Sequence, residues 1–319
     1  MSIPSIAPAL RAWLAELELD EPSWLSSLLE CALPAGAGES ALAANTLSPG
    51  ALPLELSFSE AEPEALRVDV QPTGADAAAI RQAAWRIARA VGGGRASFDR
   101  DGLFTPRAPS FGAFVGVSAS GSSLRVKVYE ETGGDPAAVT AIPAALREAI
   151  PGVEPVLAEL SVSAGHEDRR WFLLPREGLA VLALEPWLRE VDLLHRLPRL
   201  ATTVLALTGG RMHLAPGQAL LGVTWPEPGA CELKLELLRG THGEDDAGWL
   251  AVVQGLLANQ PGARAFRRWC GAVERAFARD HHLRFNAVSV RVSRRANAEL
   301  NVYLGLRPRS WRTVARGSG

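Results

Sequence analysis

Five cations recur at matching places in this chain: Arg67, Lys127, Arg170, Lys234 and Arg291. Four of them stand on the second of two short alternating segments, LRVDV, LRVKVY, RRWFLL and ELKLELL, and two residues beyond each comes an acid or an aromatic: Asp69, Tyr129, Phe172, Glu236. In the fifth pair the matching places hold Asn301 and Tyr303, and the first segment supplies Arg291 instead. Positive charges converging on one spot hold a polyanion, and a guanidinium grips phosphate oxygens two at a time. Tyr129, Phe172 and Tyr303 add π-faces, each worth up to about 2 kcal/mol to a desolvated cation. Cations for a diphosphate beside aromatic walls suit an allylic diphosphate that ionises to a carbocation, because the walls also keep out the water that would quench it.

Glu55 is the one acid on the polar face of the first segment, LELSFS. It can take the proton lost when an acceptor ring is substituted, or it can pair with Arg67 on the next strand. Glu159 and Glu236 are further acids on polar faces, and spacing alone does not rank the three. Gly222 and Thr224 share the polar face of the fourth pair. A missing side chain at 222 would leave room for a geranyl rather than a dimethylallyl chain, or would mark a β-bulge.

These residues need strands to carry them. Leu54, Leu56 and Phe58 alternate with Glu55, Ser57 and Ser59, and Leu66, Val68 and Val70 with Arg67, Asp69 and Gln71, which predicts a hairpin with one apolar and one polar face. The same pattern predicts hairpins at 111–131, turning at 119–122; at 156–163 with 169–175, around Gly165; at 219–225 with 231–238, turning through Pro226 to Gly229; and at 285–293 with 299–306. Helical spacing separates them, over 76–91 (stopped by Gly92 to Gly94), 135–150 (opened by Asp135-Pro136 as cap and first-turn pair), 177–197, 245–257 and 264–281, with a further helical stretch over 6–33 broken near Pro22.

Ten antiparallel strands under helices avoid open edges by closing, and a barrel of that size keeps a lumen. The expected fold class is therefore α+β: a ten-stranded antiparallel β-barrel of five repeated hairpins, its apolar face against an outer ring of helices and its polar face lining a chamber. An open sheet with its polar face in water is the alternative. With no long linker, residues 1–316 read as a single domain and 317–319 as an appended scar.

Composition narrows the function. The 319 residues carry a formal net charge of −2 and 47% apolar residues, so neither a nucleic acid nor a membrane surface is an expected partner. Cys31, Cys231 and Cys270 are few and far apart, without disulfide or zinc spacing. No run approaches the ~18 apolar residues of a membrane span, and the first residues lack the pattern of a signal peptide, so a cytoplasmic location is expected.

The ordered set of motifs resembles the dimethylallyltryptophan synthase superfamily of ABBA-type aromatic prenyltransferases. LPLELSFSE followed by LRVDVQP is similar to that family's first hairpin, LRVKVYEE to its Lys-x-Tyr strand, RWFLLP to a variant of the same strand, and ELNVYLGLRP to its closing strand. The resemblance spans about Leu52 to Pro308 and implies the ABBA barrel, with Glu55 as base, Arg67, Lys127 and Arg170 on the diphosphate, and Tyr129, Phe172 and Tyr303 around the cation. Lys234 and Arg291 join the diphosphate set by register. In size the chain is closer to the cyanobactin peptide prenyltransferases, which implies an aromatic side chain of a peptide as acceptor, a free indole or phenol being the second choice. It departs from the family in having only two tyrosines, with Glu236 in place of a Tyr. No DDxxD motif is present, so no cofactor is obligatory and Mg²⁺ is at most a helper. A non-catalytic barrel that binds a peptide or hydrophobic ligand is the reading from another class.

Overall fold

A computed structural model describes residues 6–93, 95–98, 102–103, 110–121, 123–133, 135–140, 142–224, 231–239 and 246–311. Ten strands form one closed antiparallel barrel in nearly sequential order. They are β1 (Leu54–Ser59), β2 (Leu66–Val70), β3 (Ala113–Ser120), β4 (Ser123–Glu131), β5 (Val153–Ser163), β6 (His166–Pro175), β9 (Ala219–Thr224), β10 (Glu232–Leu238), β11 (His281–Ser293) and β12 (Asn297–Pro308). The short β7 (Leu179–Ala180) and β8 (His213–Leu214) pair with each other outside it. Closure joins β1 to β12, with Glu55 opposite Gly305 and Ser57 opposite Tyr303.

The open-sheet alternative fails on β1, which is buried on both faces: outward Leu54, Leu56 and Phe58, and inward Glu55, Ser57 and Ser59, are all at most 6% exposed. The outward face meets helices. Phe58 packs on Phe266 and Trp269 of α10 (Ala263–Phe277), with ring centroids 4.9 and 5.8 Å away, and Trp13 of α1 (Ile6–Glu16) meets Phe277 edge-on. α2 (Ser23–Ala32), α3 (Glu39–Ala43) and α4 (Ala77–Val91) continue the outer layer. Asp76 caps α4, accepting a hydrogen bond from the Ala79 amide.

Three helical expectations need correction. Residues 135–150 form two short helices, α5 (Pro136–Thr140) and α6 (Ala144–Ala149), because Pro143 turns the residue before it away from helical geometry. Residues 177–197 are not one helix: β7 and a 3-10 turn lead into α7 (Glu185–Glu190), and Asp192 in the left-handed region separates it from α8 (Leu197–Leu207). Pro186 and Pro198 each stand in a first helical turn, marking two starts rather than one run. Residue 281 opens β11 instead of ending α10. α9 (Asp246–Leu257) lies where expected. Residues 225–229 and 317–319, which carried the fourth turn and the terminal scar, lie outside the described residues. Among the described residues no helix is long and apolar enough to cross a membrane.

Candidate active site

Strand alternation aims one set of residues into the barrel, and the antiparallel register sorts that set into layers. Toward the hairpin turns lie Arg67, Arg125, Lys127, Asp168, Arg170, Thr224, Glu232, Arg291 and Asn301; toward the other end lie Glu55, Asp69, Phe114, Tyr129, Phe172, Leu220, Glu236 and Ala287. Lys234 and Tyr303 line both cavities and stand at their boundary.

The upper cavity, roughly 170 Å³, is lined by six cationic side chains against four acidic ones. It brings together all five cations singled out from sequence and adds Arg125. Most are tied into a belt of alternating charge: Lys127 to Glu159 (3.2 Å), Glu159 to Arg170 (3.3 Å), Arg170 to Glu232, Glu232 to Arg291 (3.5 Å), and Arg291 to Glu299. Arg125 and Arg67 share Glu62, at 3.1 and 4.0 Å. Burial favours the neutral acid at Glu159, yet Lys127 and Arg170 hold its carboxyl down at about 2. Burial pulls Lys127 down to about 8, with Glu159 only partly restoring it. Lys234 goes the other way: the bonded Glu236 outweighs burial and raises it. The excess of cations over acids leaves capacity for an incoming anion. Glu232 and Glu299 were not singled out beforehand, although each falls on the inward face by simple alternation.

The lower cavity is larger, roughly 390 Å³, and mostly apolar in its walls. Tyr129 and Phe172 lie 5.9 Å apart, while Lys234 sits over the faces of Tyr303 (4.8 Å) and Phe172 (5.5 Å) and Lys127 over Tyr129 (5.9 Å). The three expected aromatics thus converge, and their faces already accept cations. Two polar anchors hold the floor. The Gln71 side chain accepts from the amides of Thr46 and Leu47 and donates to the Phe111 carbonyl. Glu131 gathers the amides of Ser110, Phe111 and Gly112.

Glu55 lies in this lower cavity and is not paired with Arg67. Its Oε2 accepts a hydrogen bond from Asn286 Nδ2 at 2.8 Å, and the same amide nitrogen donates to Ser48 Oγ at 2.9 Å. Burial, with Asp69 and Glu236 nearby, pushes the Glu55 carboxyl well above the usual carboxylate range despite that bond. Asn286 was missed by strict alternation. A β-bulge between Phe285 and Ala287 turns Asn286 inward and sends Phe285 out against Trp249, at 5.5 Å. A second bulge between Pro155 and Leu157 brings Val156 as well as Leu157 to the cavity wall.

The room expected above Gly222 is taken. A Cβ there would come within 2.9 Å of Arg170 Cδ, 3.2 Å of Phe172 and 3.3 Å of Lys234. Gly222 lets those three side chains stack and lines neither cavity, and Thr224 faces the upper cavity, where its hydroxyl accepts from the Glu232 amide at 2.8 Å. Both were expected beside the prenyl chain, and neither lines the lower, apolar cavity. Gly305 does similar work opposite Glu55, since a Cβ would collide with Ser48 and Asn286. Among the described residues no group of three or more His, Cys, Asp or Glu side chains is arranged to hold a metal ion.

A closed ten-stranded antiparallel barrel within a helical layer, holding a cation-rich upper chamber over an aromatic lower one, is the ABBA barrel, the architecture of aromatic prenyltransferases. The chain superposes on PriB in its complex with product diphosphate with a TM-score of 0.71 at 19% identity, covering 95% of this chain and 97% of that one. It matches the 6-dimethylallyltryptophan synthase from Micromonospora olivasterospora in complex with DMASPP and Trp equally well (TM-score 0.71, 20% identity, 95% and 99% covered). The 5-dimethylallyltryptophan synthase from Streptomyces coelicolor gives 0.66 at 18% identity, with 93% and 95% covered. No protein-family model matches the chain, and no curated protein does.

Proposed function

We propose that this protein is a prenyltransferase that moves a dimethylallyl group from its diphosphate to an aromatic acceptor. The observation that carries the reading is the two-storey lumen: a net-cationic chamber adjoining, at Lys234 and Tyr303, an apolar chamber in which Asn286 holds the Glu55 carboxyl. The solved neighbours include complexes with a diphosphate, and with a dimethylallyl thiolodiphosphate and tryptophan.

In this reading Arg67, Lys127, Arg170, Lys234 and Arg291 hold the diphosphate. The carbon–oxygen bond of the donor breaks, its electron pair leaves with the diphosphate, and the allylic cation rests among Tyr129, Phe172 and Tyr303. The acceptor ring gives a π pair to form the new carbon–carbon bond. Its displaced ring proton goes to Glu55 Oε1, which accepts no hydrogen bond from the described residues. A carboxylate with raised proton affinity is the better acceptor for that proton. The filled space at Gly222 favours the five-carbon donor. A lower cavity of roughly 390 Å³, near the small end for ligand sites, suits a compact free aromatic molecule ahead of a peptide side chain.

The protein is to be incubated with dimethylallyl or geranyl diphosphate and a panel of indoles, phenols and aromatic peptides, with products read by mass spectrometry. Gain of one dimethylallyl unit on a free aromatic is expected. Saturable binding of donor and acceptor with no transfer to any of them would leave a non-catalytic binding barrel instead.

A further inference from the structure

Alkylation of a ring calls for one proton acceptor, yet three carboxylates line the lower cavity: Glu55, Asp69 and Glu236. Glu236 is engaged by Lys234, and Glu55 is held by Asn286. Asp69 differs from both. It stands directly opposite Glu55 across the β1–β2 ladder, and its carboxylate lies over Gly116 of β3, where a Cβ would collide with Oδ1. No hydrogen bond or ion pair ties it to any described residue, the charges of Lys127, Arg67 and Lys234 acting on it only from a distance. A half-buried carboxylate facing an apolar cavity, with no partner among the described residues, is costly unless something that enters the cavity satisfies it.

The remaining charge in the cavity decides what that is. Lys234 is the one cation lining it among the described residues, and it is occupied by Glu236. Among the described residues, an acceptor carrying a carboxylate would meet three acids and no free cation, whereas an acceptor carrying an ammonium would meet Asp69, in surroundings where a charge-assisted hydrogen bond is strong. The pocket therefore attracts one charge type and repels the other, the two halves of a specificity device. Resting on the prenyl-transfer reading of this cavity, we propose that the acceptor is an aromatic amine, its ring among Phe114, Tyr129 and Phe172 and its ammonium on Asp69, with no carboxylate of its own.

The test is a calorimetric titration with dimethylallyl thiolodiphosphate bound, using indoles that share a ring and differ in the side chain: tryptamine, 3-ethylindole, indole-3-propionate and L-tryptophan. Tryptamine is expected to bind at least about tenfold more tightly than 3-ethylindole, with indole-3-propionate weakest and L-tryptophan below tryptamine. Asp69→Asn, or Asp69→Ser should the amide variant fold poorly, should erase the advantage of tryptamine over 3-ethylindole. Glu236→Gln, which releases Lys234, should bring indole-3-propionate level with 3-ethylindole or above it. Equal binding of tryptamine and 3-ethylindole, or a tryptamine advantage that survives at position 69, overturns the proposal even where prenyl transfer is observed. An advantage that depends on Asp69, with no transfer to any acceptor, sustains the amine site and removes the prenyl-transfer reading.

Discussion

The two ends of the lumen solve opposite electrostatic problems with the same strands. Above Lys234 most acids have a cation within reach, in a belt of alternating charge that runs from Lys127 to Glu299. Below it, among the described residues, the acids outnumber the cations and Asp69 stands without a partner. If the upper chamber takes up and releases a polyanion as proposed, it is better kept neutralised while empty, since bare cations in a half-buried space would repel one another and loosen the barrel. If the lower chamber takes a proton as proposed, it is better kept short of cations, because each one nearby weakens the base. Two residues along a strand, the distance from Lys127 to Tyr129 or from Lys234 to Glu236, suffice to pass from one regime to the other.

The sharpest way to break this contrast is at the base. Glu55→Gln should lower turnover by about 10²–10⁴-fold while donor binding, which belongs to the upper chamber, persists; stopped-flow turnover and donor titration check the pair. Next comes the belt. Glu159→Gln leaves Lys127 and Arg170 buried without their shared partner and should cost about 3–5 kcal/mol in denaturant unfolding. Added inorganic diphosphate should restore more stability to this variant than to the parent, because the anion takes the place of the lost carboxylate. Packing at the boundary is a smaller lever: Gly222→Ala pushes on Arg170, Phe172 and Lys234 together and should cost about 1–3 kcal/mol, read by thermal unfolding. The smallest effect is in pH. Lys127 titrates at about 8 in the empty site, and an anion favours its charged form. Donor affinity should therefore be full below that pH and fall by up to about tenfold per unit above it, while Lys127→Arg should flatten the decline. Turnover should fall on the acid side as Glu55, raised above 4.5 by burial and Asp69, takes up its proton.

Much of this was legible before any coordinates. The five hairpins could be read because each strand has one apolar and one polar face, and both faces are constrained once the barrel closes. The five cations and three aromatics followed from the same period of two. What escaped depends on breaks in that period. Asn286, which holds Glu55, is inward only because of a bulge, and no residue type announces a bulge at Phe285 to Ala287. Gly222 was misjudged for a different reason: an absent side chain shows that space is needed, and only the neighbours show who uses it. The belt acids Glu232 and Glu299 were visible in the alternation, but attention to cations passed over them. The helices expected over 135–150 and 177–197 are shorter in the structure because Pro143 and Pro186 outweigh apolar spacing.

The seam between β1 and β12 carries a consequence for synthesis. Glu55 leaves the ribosome early, but Asn286 and Gly305, which shape its surroundings, belong to the last hairpin. Until that hairpin arrives, β1 and β10 are open edges ready to pair with other chains. A nascent chain halted before β11 should thus be aggregation-prone and chaperone-dependent, and one released after Pro308 should not, a difference that sedimentation of stalled and released chains would register. Glu55 is present from about the first sixth of translation, and gains the surroundings that the proposed role requires only when the final strands close the ring.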